Sequence, residues 1–416
     1  MFKNKNNTKS NWFNSGINKS SSNNLTNSRS FIKKPIDKSL LSVIIILAVF
    51  GLVILFSASL VSGYAKGDTY FYVKKQAIAL VIGLVLFFIL TRVNYHIFKK
   101  FSFFFLLLSI LLLVLVFVPG IRSEYATSYS WIIVFGQSFQ VAEAVKLFLI
   151  FYLAAWVETR QDDLKIFSTG LLPFLVVISF IGILLLLEPD LGTFMLIVII
   201  ALSIYFVAGG NMKQLMVMFL LAVIGLVMLF SRANQIDTSN SSNDGLIKDY
   251  QLTRIKCLQD PDFDKDNCYQ VSQSLIAIGS GGLWGRGLGN SLQKFNYLPE
   301  VWADSIFPVI AEEIGFVGSV VILLIYLFIF IKGALIAKRA PDIYGRSLAI
   351  GISVWIFFQA FLNIGGMINL IPMTGVPLPF VSAGGTSLVF LLMACGILLN
   401  ISSQELSEKH NLRLRN

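Results

Sequence analysis

Four carboxylates gather in one short stretch, "YLPEVWADSIFPVIAEE", at the start of a long apolar run; they are Glu300, Asp304, Glu312 and Glu313. An ionised side chain at the centre of a membrane costs about 3 kcal/mol on insertion scales, so acids beside a hydrocarbon layer need a partner or a task. A carboxylate can act as a general base that takes a proton from an attacking hydroxyl group. The sequence therefore predicts a reactive site in this stretch.

Asp304 is either the N-cap of the following helix or a side chain that faces a cavity. If Asp304 were the cap, Pro308 would occupy the fourth helical position, where its missing N–H removes an early helix bond. Proline prefers the first helical position. The sequence thus predicts a helix that starts at Pro308, with Asp304 just upstream. Glu312 and Glu313 then fall early in the helix, where the helix dipole favours negative charge.

Two further polar clusters interrupt apolar sequence. In "FQVAEAVKLF", Glu143 and Lys146 are three residues apart and share one helix face. They form either a structural ion pair or part of a polar site. In "EPDLGT", Glu188 and Asp190 occupy a tight turn, where Asp190 either caps the next helix or belongs to the site.

The fourth cluster is the stretch "NLIPMTGVPLPFVSAGGTSL", in which prolines and glycines interrupt sequence of membrane character. Irregular backbone at membrane depth occurs only where it is buried in protein or lines a wet cavity. Its amides suit a polar headgroup or an anion, and the candidate substrate-binding residues are Ser382, Gly384 and Gly385. A tight structural turn is the alternative.

Composition and hydropathy predict the elements that position these residues. Hydrophobic residues make up 56% of the 416 positions and charged residues 13%, against about 25% charged in soluble domains. We expect an all-α membrane protein with about ten transmembrane helices and a large extracytoplasmic loop, 232–305, between helices 7 and 8. The apolar segments are 40–61, 76–93, 101–119, 142–157, 168–187, 190–208, 213–231, 306–331, 346–370 and 383–402.

Lysine and arginine residues predict the orientation. The N-terminal tail, "RVNYHIFKK" and "KGALIAKRAPDIYGR" fall on one side of a ten-helix chain, and the positive-inside rule makes that side cytoplasmic. The predicted organisation is a disordered cytoplasmic tail at 1–38, a membrane domain at 39–403 and a cytoplasmic tail at 404–416.

All four polar clusters then lie near the outer surface of the membrane. Chemistry there cannot use cytosolic ATP or nucleotide sugars, so the substrate must arrive already activated, and a lipid-linked substrate suits a membrane enzyme. No histidine falls on the outer side, so a general base there must be a carboxylate, and Asp304 is the leading candidate. The two histidines and three cysteines of the chain leave no zinc cluster or Cys–His catalytic pair.

The stretches "IGSGGLWGRGLGNSLQKFNYLPEVWADSIFPVIAEEIGFVG", "EPDLGT" and "NLIPMTGVPLPFVSAGGTSL" resemble the shape, elongation, division and sporulation (SEDS) proteins, in matching order over residues 40–403. The resemblance implies a ten-helix enzyme that polymerises lipid II into glycan strands on the outer face of the bacterial cytoplasmic membrane, with inversion at the anomeric carbon. Asp304 matches the essential aspartate of that family, whose implied role is general base.

The resemblance also implies the surroundings of the reaction. Glu143 and Lys146 match a polar pair placed in the same cavity, where Lys146 would orient Asp304 or stabilise the pyrophosphate. Glu300 is a candidate substrate contact. A divalent cation, Mg²⁺ or Mn²⁺, could share the task of Lys146, although no residue specifies a metal site. The implied partners are a class B penicillin-binding protein transpeptidase and other divisome proteins. The segment "SLQKFNYLPE" is more similar in sequence to the division members (FtsW) of the family than to the elongation members (RodA).

The chain departs from the family pattern next to the proposed base, because Trp302 and Ala303 stand where the family has histidine and threonine. Three alternatives therefore stay open beside the division polymerase: a lipid II flippase, an elongation polymerase of the RodA type, and a weakly active divisome scaffold. Cys257 and Cys268 flank "LQDPDFDKDN" in the outer loop and form either a disulfide or two free thiols.

Overall fold

The computed structural model describes residues 35–118, 131–134, 137–218, 220, 249–261, 264 and 267–404, apart from some side chains inside these ranges. Within them the regular secondary structure is helical except for one short hairpin, which confirms the all-α prediction. Most of both predicted tails, 1–38 and 404–416, lies outside the described residues. The described part belongs to one compact unit.

The helices follow the predicted order. They are α1 Lys38–Tyr64, α2 Phe71–Leu90, α3 His96–Lys100, α4 Ser102–Leu115, α5 Val141–Thr159, α6 Leu172–Leu187, α7 Leu191–Val207, α8 Asp249–Gln259, α9 Tyr269–Ser280, α10 Ile306–Arg339, α11 Ile343–Met367 and α12 Gly385–Ser402. A π-helical turn, Phe167–Leu171, leads into α6, and residues 212–218 are also helical. The antiparallel hairpin pairs β1 Trp131–Val134 with β2 Gln137–Gln140.

Six helices of the described chain are long and apolar enough to cross a membrane: α1, α2, α6 with its π-helical turn, α10, α11 and α12. The apolar helices α4 and α7 are shorter, and α5 carries the buried Glu143 and Lys146. The seventh predicted span, 213–231, lies largely outside the described residues. The chain is thus a multi-pass helical membrane protein.

Helix α11 lies at the centre of the bundle, because most of its side chains are buried between α10, α7 and α5. Helices α2 and α12 pack closely through small residues. A Cβ on Gly83 would lie 2.6 Å from Leu392, and a Cβ on Gly396 would lie 2.6 Å from the Phe87 carbonyl oxygen. Small residues let backbones approach where lipid supplies no hydrophobic drive for association.

Helix α10 is broken near its start. Gly315 has φ 71° and ψ −171°, values outside the helical region that glycine adopts without steric cost. The loop at 282–287 satisfies the backbone groups that the break leaves without helical partners. The bonds are Arg286 N to Glu312 O (3.0 Å), Gly287 N to Glu313 O (2.9 Å), Phe316 N to Gly282 O (2.9 Å) and Val317 N to Leu283 O (3.1 Å).

The break corrects the prediction for Glu312 and Glu313. The two acids lie at the end of the first part of α10, where the helix dipole does not favour negative charge. Cations stabilise them instead: the exposed Arg286 lies 3.2 Å from Glu312, and the buried Lys294 lies 3.1 Å from Glu313. These two ion pairs hold the loop at 286–294 against α10.

In the loop predicted at 232–305, helix α9 packs on the membrane domain against α10. A disulfide joins Cys257, near the end of α8, to Cys268, just before α9, with their Cα atoms 5.4 Å apart. The structure therefore selects the disulfide over two free thiols. The third cysteine, Cys395, is free and buried in α12.

Candidate active site

Asp304 precedes α10, whose N-cap is Ser305 and whose first residue is Ile306. The prediction that this helix starts at Pro308 is wrong. Pro308 occupies the third helical position, where an N–H has no intrahelical partner and its absence therefore removes no bond. The related expectation is confirmed, because Asp304 lies upstream of the helix and does not cap it.

The Asp304 carboxylate is partly exposed and receives polar contacts from two neighbours. The Gln270 amide Nε2 lies 3.4 Å from both carboxylate oxygens and donates to Ser305 Oγ at 2.7 Å. Asn363 Nδ2 donates to the Asp304 carbonyl oxygen at 2.8 Å, which fixes the backbone. The carboxylate is thus oriented from α9, and its backbone is tied to α11.

A second carboxylate and one arginine set the charge around Asp304. A Cβ on Gly375 would lie 3.8 Å from Arg254 Nη1 and 3.9 Å from Asp304 Oδ2, so these three residues meet at one point. Surrounding protein raises the pKa of Asp304, and the opposite charge of Arg254 offsets part of that rise. Glu300 keeps an exposed face, yet removal of water by the surrounding protein and the charge of Asp304 raise its pKa to about 7.

Glu143 and Lys146 form a buried ion pair on α5, with Lys146 Nζ 2.6 Å from Glu143 Oε1. Lys146 Nζ also donates to Gln359 Oε1 at 2.6 Å, and Trp355 Nε1 donates to the same oxygen at 2.7 Å. The described hydrogen bonds of Lys146 therefore go to Glu143 and Gln359, and those of the Asp304 carboxylate go to Gln270 and Ser305. The two predicted groups do not touch each other.

Two amide side chains of α11 connect these groups. Gln359 Nε2 donates to the Pro377 carbonyl oxygen at 3.0 Å, and Asn363 Nδ2 donates to the Val376 carbonyl oxygen at 2.8 Å. Gln359 and Asn363 therefore share a face of α11, four residues apart, and both hold the irregular segment. Gln359 also binds the ion pair, and Asn363 also binds the Asp304 backbone. Neither residue was among the site residues predicted from the sequence. The available signal was a pair of amides at helical spacing inside an apolar span.

The predicted substrate-binding residues of the last cluster have internal partners. Ser382 Oγ accepts from Leu378 N at 2.8 Å, and Gly384 N donates to Gln76 Oε1 at 3.1 Å. Gly385 is the first residue of α12. The backbone of Trp302 reaches the same cluster, because its carbonyl oxygen accepts from the amide at residue 383 at 2.8 Å. The cluster thus adjoins the acidic stretch.

Trp302, which stands where the family has histidine, packs on Tyr72 of α2. The two rings are stacked with centroids 4.6 Å apart, and Lys66 Nζ lies 4.8 Å from the Tyr72 centroid. Offset aromatic stacking and a nearby cation stabilise such a pair. The acidic stretch is therefore fastened to α2 by packing.

Glu188 and Asp190 have different surroundings. Asp190 caps α7 by accepting from Thr193 N at 2.9 Å, as one of its two interpretations predicted. Glu188 is fully buried, and neither of its oxygens has a hydrogen-bond partner among the described residues. Burial, reinforced by the charge of Asp190, raises the pKa of Glu188 to about 9. Glu188 is therefore a neutral acid at physiological pH.

The described residues contain no group of three or more His, Cys, Asp or Glu side chains that could bind a metal ion. The acids nearest to each other in the candidate site, Glu300 and Asp304, share it with the cation Arg254. The side chains around Asp304 therefore suit proton transfer and the binding of an anionic group.

Comparison with known proteins agrees with this architecture. The family model described as "Cell cycle protein", which covers FtsW, RodA and SpoVE, matches residues 37–407. The chain is 36% identical over 368 residues to stage V sporulation protein E of Bacillus subtilis (strain 168). This alignment covers 88% of this chain and 96% of the relative. It is 39% identical over 375 residues to the probable peptidoglycan glycosyltransferase FtsW of the same organism, and this alignment covers 89% of this chain and 91% of that relative.

Two solved structures share the fold. A chain of the structure described as "Structural coordination of polymerization and crosslinking by a peptidoglycan synthase complex" matches with a TM-score of 0.70 and 25% identity, over 88% of this chain and 97% of that one. The rod shape determining protein RodA of Thermus thermophilus matches with a TM-score of 0.59 and 24% identity, over 89% and 98%. The chain therefore belongs to the FtsW, RodA and SpoVE family of cell cycle proteins.

Proposed function

We propose that this protein is a peptidoglycan glycosyltransferase that polymerises lipid II into glycan strands on the outer face of the bacterial cytoplasmic membrane. The observation that carries the proposal is the Asp304 carboxylate, which is partly exposed, oriented by Gln270 and close to Arg254. The names of relatives that share 34–39% of their residues with this chain support the reaction class.

The proposed reaction is a displacement at the anomeric carbon of the lipid-linked donor. The acceptor hydroxyl oxygen attacks that carbon from the face opposite the leaving group, and its proton passes to Asp304. The bond between the anomeric carbon and the pyrophosphate oxygen breaks, and polyprenyl pyrophosphate leaves with the bonding electrons, so the configuration inverts. A positioned general base contributes roughly 10²–10⁴-fold to such a reaction.

The remaining candidate residues take supporting roles in this proposal. Glu300 contacts the acceptor, since it keeps an exposed face close enough to Asp304 for their charges to interact. Lys146 and Glu143 act through Gln359, which they position against the irregular segment. Ser382, Gly384 and Gly385 shape the part of the site that adjoins Trp302.

We also propose an orientation, a location and a partner. Basic residues end α3 and α10 on one side of the bundle, which supports a cytoplasmic assignment for that side and for both termini. The division site is the proposed location. A class B penicillin-binding protein and other divisome proteins are the proposed partners; a relative of known structure belongs to a complex described by polymerization and crosslinking.

The experiment compares the purified wild-type protein with Asp304→Asn, given fluorescent lipid II and the cognate transpeptidase. Asparagine keeps the shape of the side chain but cannot accept the proton, so we expect glycan polymer from the wild type and a loss of at least 10²-fold in the variant. Asp68→Asn is the matched control, because Asp68 is an exposed loop carboxylate paired with Lys74 at 2.8 Å. It should polymerise at the wild-type rate.

The same assay separates the alternatives. Lipid II that crosses a vesicle membrane while no polymer forms in any variant would favour a flippase and refute the enzyme. Cells depleted of the native protein that divide normally with Asp304→Asn would favour a scaffold. Rescue of an elongation defect but not a division defect would favour the RodA type of polymerase.

No step of the proposed reaction passes through a divalent cation. The described side chains do not form a metal site by themselves, so a cation could enter only with the pyrophosphate of the substrate. Chelation with EDTA, followed by addition of Mg²⁺ or Mn²⁺, tests whether polymerisation depends on one.

A further inference from the structure

Two short helices of the outer loop bring polar side chains to Asp304. Helix α8 carries Arg254, whose Nη1 donates to the Met373 carbonyl oxygen at 3.0 Å and lies beside the Gly375 position that also adjoins the Asp304 carboxylate. Helix α9 carries Gln270, whose amide lies 3.4 Å from both oxygens of that carboxylate. One outer-loop unit, α8–α9, therefore supplies a cation and an amide donor to the proposed base.

A covalent bond joins the two helices close to these side chains. Cys257 is three residues after Arg254, and Cys268 is two residues before Gln270. Both cysteines are buried. Two hydrogen bonds add to this restraint. Asn369 Nδ2, outside the unit, donates to the Leu258 carbonyl oxygen at 3.2 Å, and within the unit Ser272 Oγ donates to the Pro261 carbonyl oxygen at 3.0 Å.

Helix α8 needs such support. It has 11 residues and a polar sequence, "DYQLTRIKCLQ", and isolated helices shorter than about 12–15 residues are marginal in water. A disulfide that closes a short loop restricts the unfolded chain and thereby stabilises the folded loop. The bond between Cys257 and Cys268 thus limits how far Arg254 can move from Asp304.

We propose that Arg254 and Gln270 are positioning residues for the general base, and that the Cys257–Cys268 disulfide holds them over Asp304 as one unit. This inference rests on the proposed glycosyltransferase function. Arg254 favours the ionised form of Asp304, which is the form that can accept a proton, and Gln270 orients the carboxylate. The disulfide belongs to the machinery of the reaction in this chain, in addition to stabilising the loop.

The charges that act on Asp304 make the proposal measurable. Arg254 from α8 favours the ionised carboxylate, while the negative charge of Glu300 opposes it. Gln270 from α9 and Asn363 from α11 are neutral. Removal of the Arg254 charge leaves Glu300 unopposed, so Asp304 should hold its proton to a higher pH.

The first test is the pH profile of kcat for lipid II polymerisation by the full-length protein with its partner. We expect Arg254→Gln to move the acid limb upward by about one pH unit, because a nearby opposite charge lowers a carboxyl pKa by about 1–3 units. Arg254→Lys keeps the charge and should restore most of the wild-type profile. Lys256→Gln removes the same charge from the same helix, but residues two apart do not share a face, so its acid limb should match the wild type.

The second test is a double-mutant cycle between Arg254 and the disulfide. Replacement of both cysteines by alanine should lower kcat several-fold in the wild-type background and much less in the Arg254→Gln background, since coupled residues are non-additive. Gln270→Leu should lower kcat with little change in KM for lipid II, because Gln270 aims the base and does not bind the lipid.

Distinct outcomes overturn distinct parts. An acid limb that stays in place in Arg254→Gln refutes the role of Arg254. Equal fold-losses from the disulfide removal in both backgrounds refute the coupling and leave the bond as a stabiliser of the loop. A wild-type protein that forms no polymer with its partner refutes the proposed function itself. Retention of the wild-type Tm in the Arg254, Lys256 and Gln270 variants, and of a single cooperative unfolding transition in the variant without the disulfide, separates these results from misfolding.

Discussion

Glu188→Gln should make the protein more stable at neutral and basic pH. Glu188 is fully buried without a hydrogen-bond partner among the described residues, and its pKa rises from 4.5 to about 9 on folding. Between these values the folded state keeps a proton that the unfolded state has released. The contribution of Glu188 to the free energy of unfolding is therefore fully present below pH 4.5 and is lost as the pH rises toward 9.

The magnitude follows from the same two values. Each pH unit above 4.5 costs the wild type about 1.36 kcal/mol until the folded carboxyl also ionises. At pH 7.5 the accumulated cost is about 4 kcal/mol. Glutamine has nearly the same shape and carries no proton to lose, so Glu188→Gln removes this dependence while it keeps the packing.

Thermal unfolding of both proteins in one detergent at pH 5, 6, 7 and 8 measures the effect. The Tm of Glu188→Gln minus that of the wild type should grow with each step, corresponding to about 2.7 kcal/mol between pH 6 and 8. Glu158→Gln is the control: it removes a carboxylate that lies 2.7 Å from Lys99, so it should lower the Tm rather than raise it. A Tm difference that stays constant from pH 5 to 8 would refute the argument that Glu188 is protonated in the folded protein.

Three further predictions concern the loop, the site and the cation. Glu313→Gln leaves the buried Lys294 without its counter-ion and should lower stability by about 3–5 kcal/mol, measured by thermal unfolding; an unchanged Tm would contradict this. Gly375→Ala places a methyl group between Arg254 and Asp304 at a residue with φ +70°, so kcat should fall roughly tenfold. A wild-type kcat in Gly375→Ala would show that the reaction does not depend on the space between Arg254 and Asp304. If a divalent cation enters with the pyrophosphate of the substrate, EDTA should reduce polymerisation and Mg²⁺ or Mn²⁺ should restore it; insensitivity to EDTA would remove the cation from the mechanism.

Hydropathy was sufficient to predict the helical fold, because long apolar segments must satisfy their backbone within the segment. It could not predict the break in α10. One glycine with positive φ divides an apolar run that looks continuous in sequence, and only the loop at 282–287 explains how the backbone groups at the break are satisfied. Glu312 and Glu313 were therefore expected near the start of a helix, where the dipole favours negative charge, but they lie at the end of its first part, where the dipole does not.

The candidate site was predicted residue by residue more successfully than as a set of contacts. The missing N–H of Pro308 correctly placed Asp304 outside the helix, although the helix starts two residues earlier than expected. The residues that act on the Asp304 carboxylate from distant parts of the chain, Arg254 and Gln270, could not be predicted from such a local pattern. Their distance from Asp304 depends on how the outer loop folds back, and no local pattern in the sequence sets that distance.

The two amides of α11 show why buried polar residues were difficult to interpret from sequence. Gln359 and Asn363 carry no charge, so neither stood out beside Lys146. A buried amide without partners is nevertheless costly, and both side chains donate to carbonyl oxygens of the irregular segment at 376–377. That segment needs donors because its prolines interrupt regular hydrogen bonding. The amides of α11 therefore satisfy the carbonyl oxygens of the segment, and through these amides both Lys146 and the Asp304 backbone are linked to the same stretch of chain.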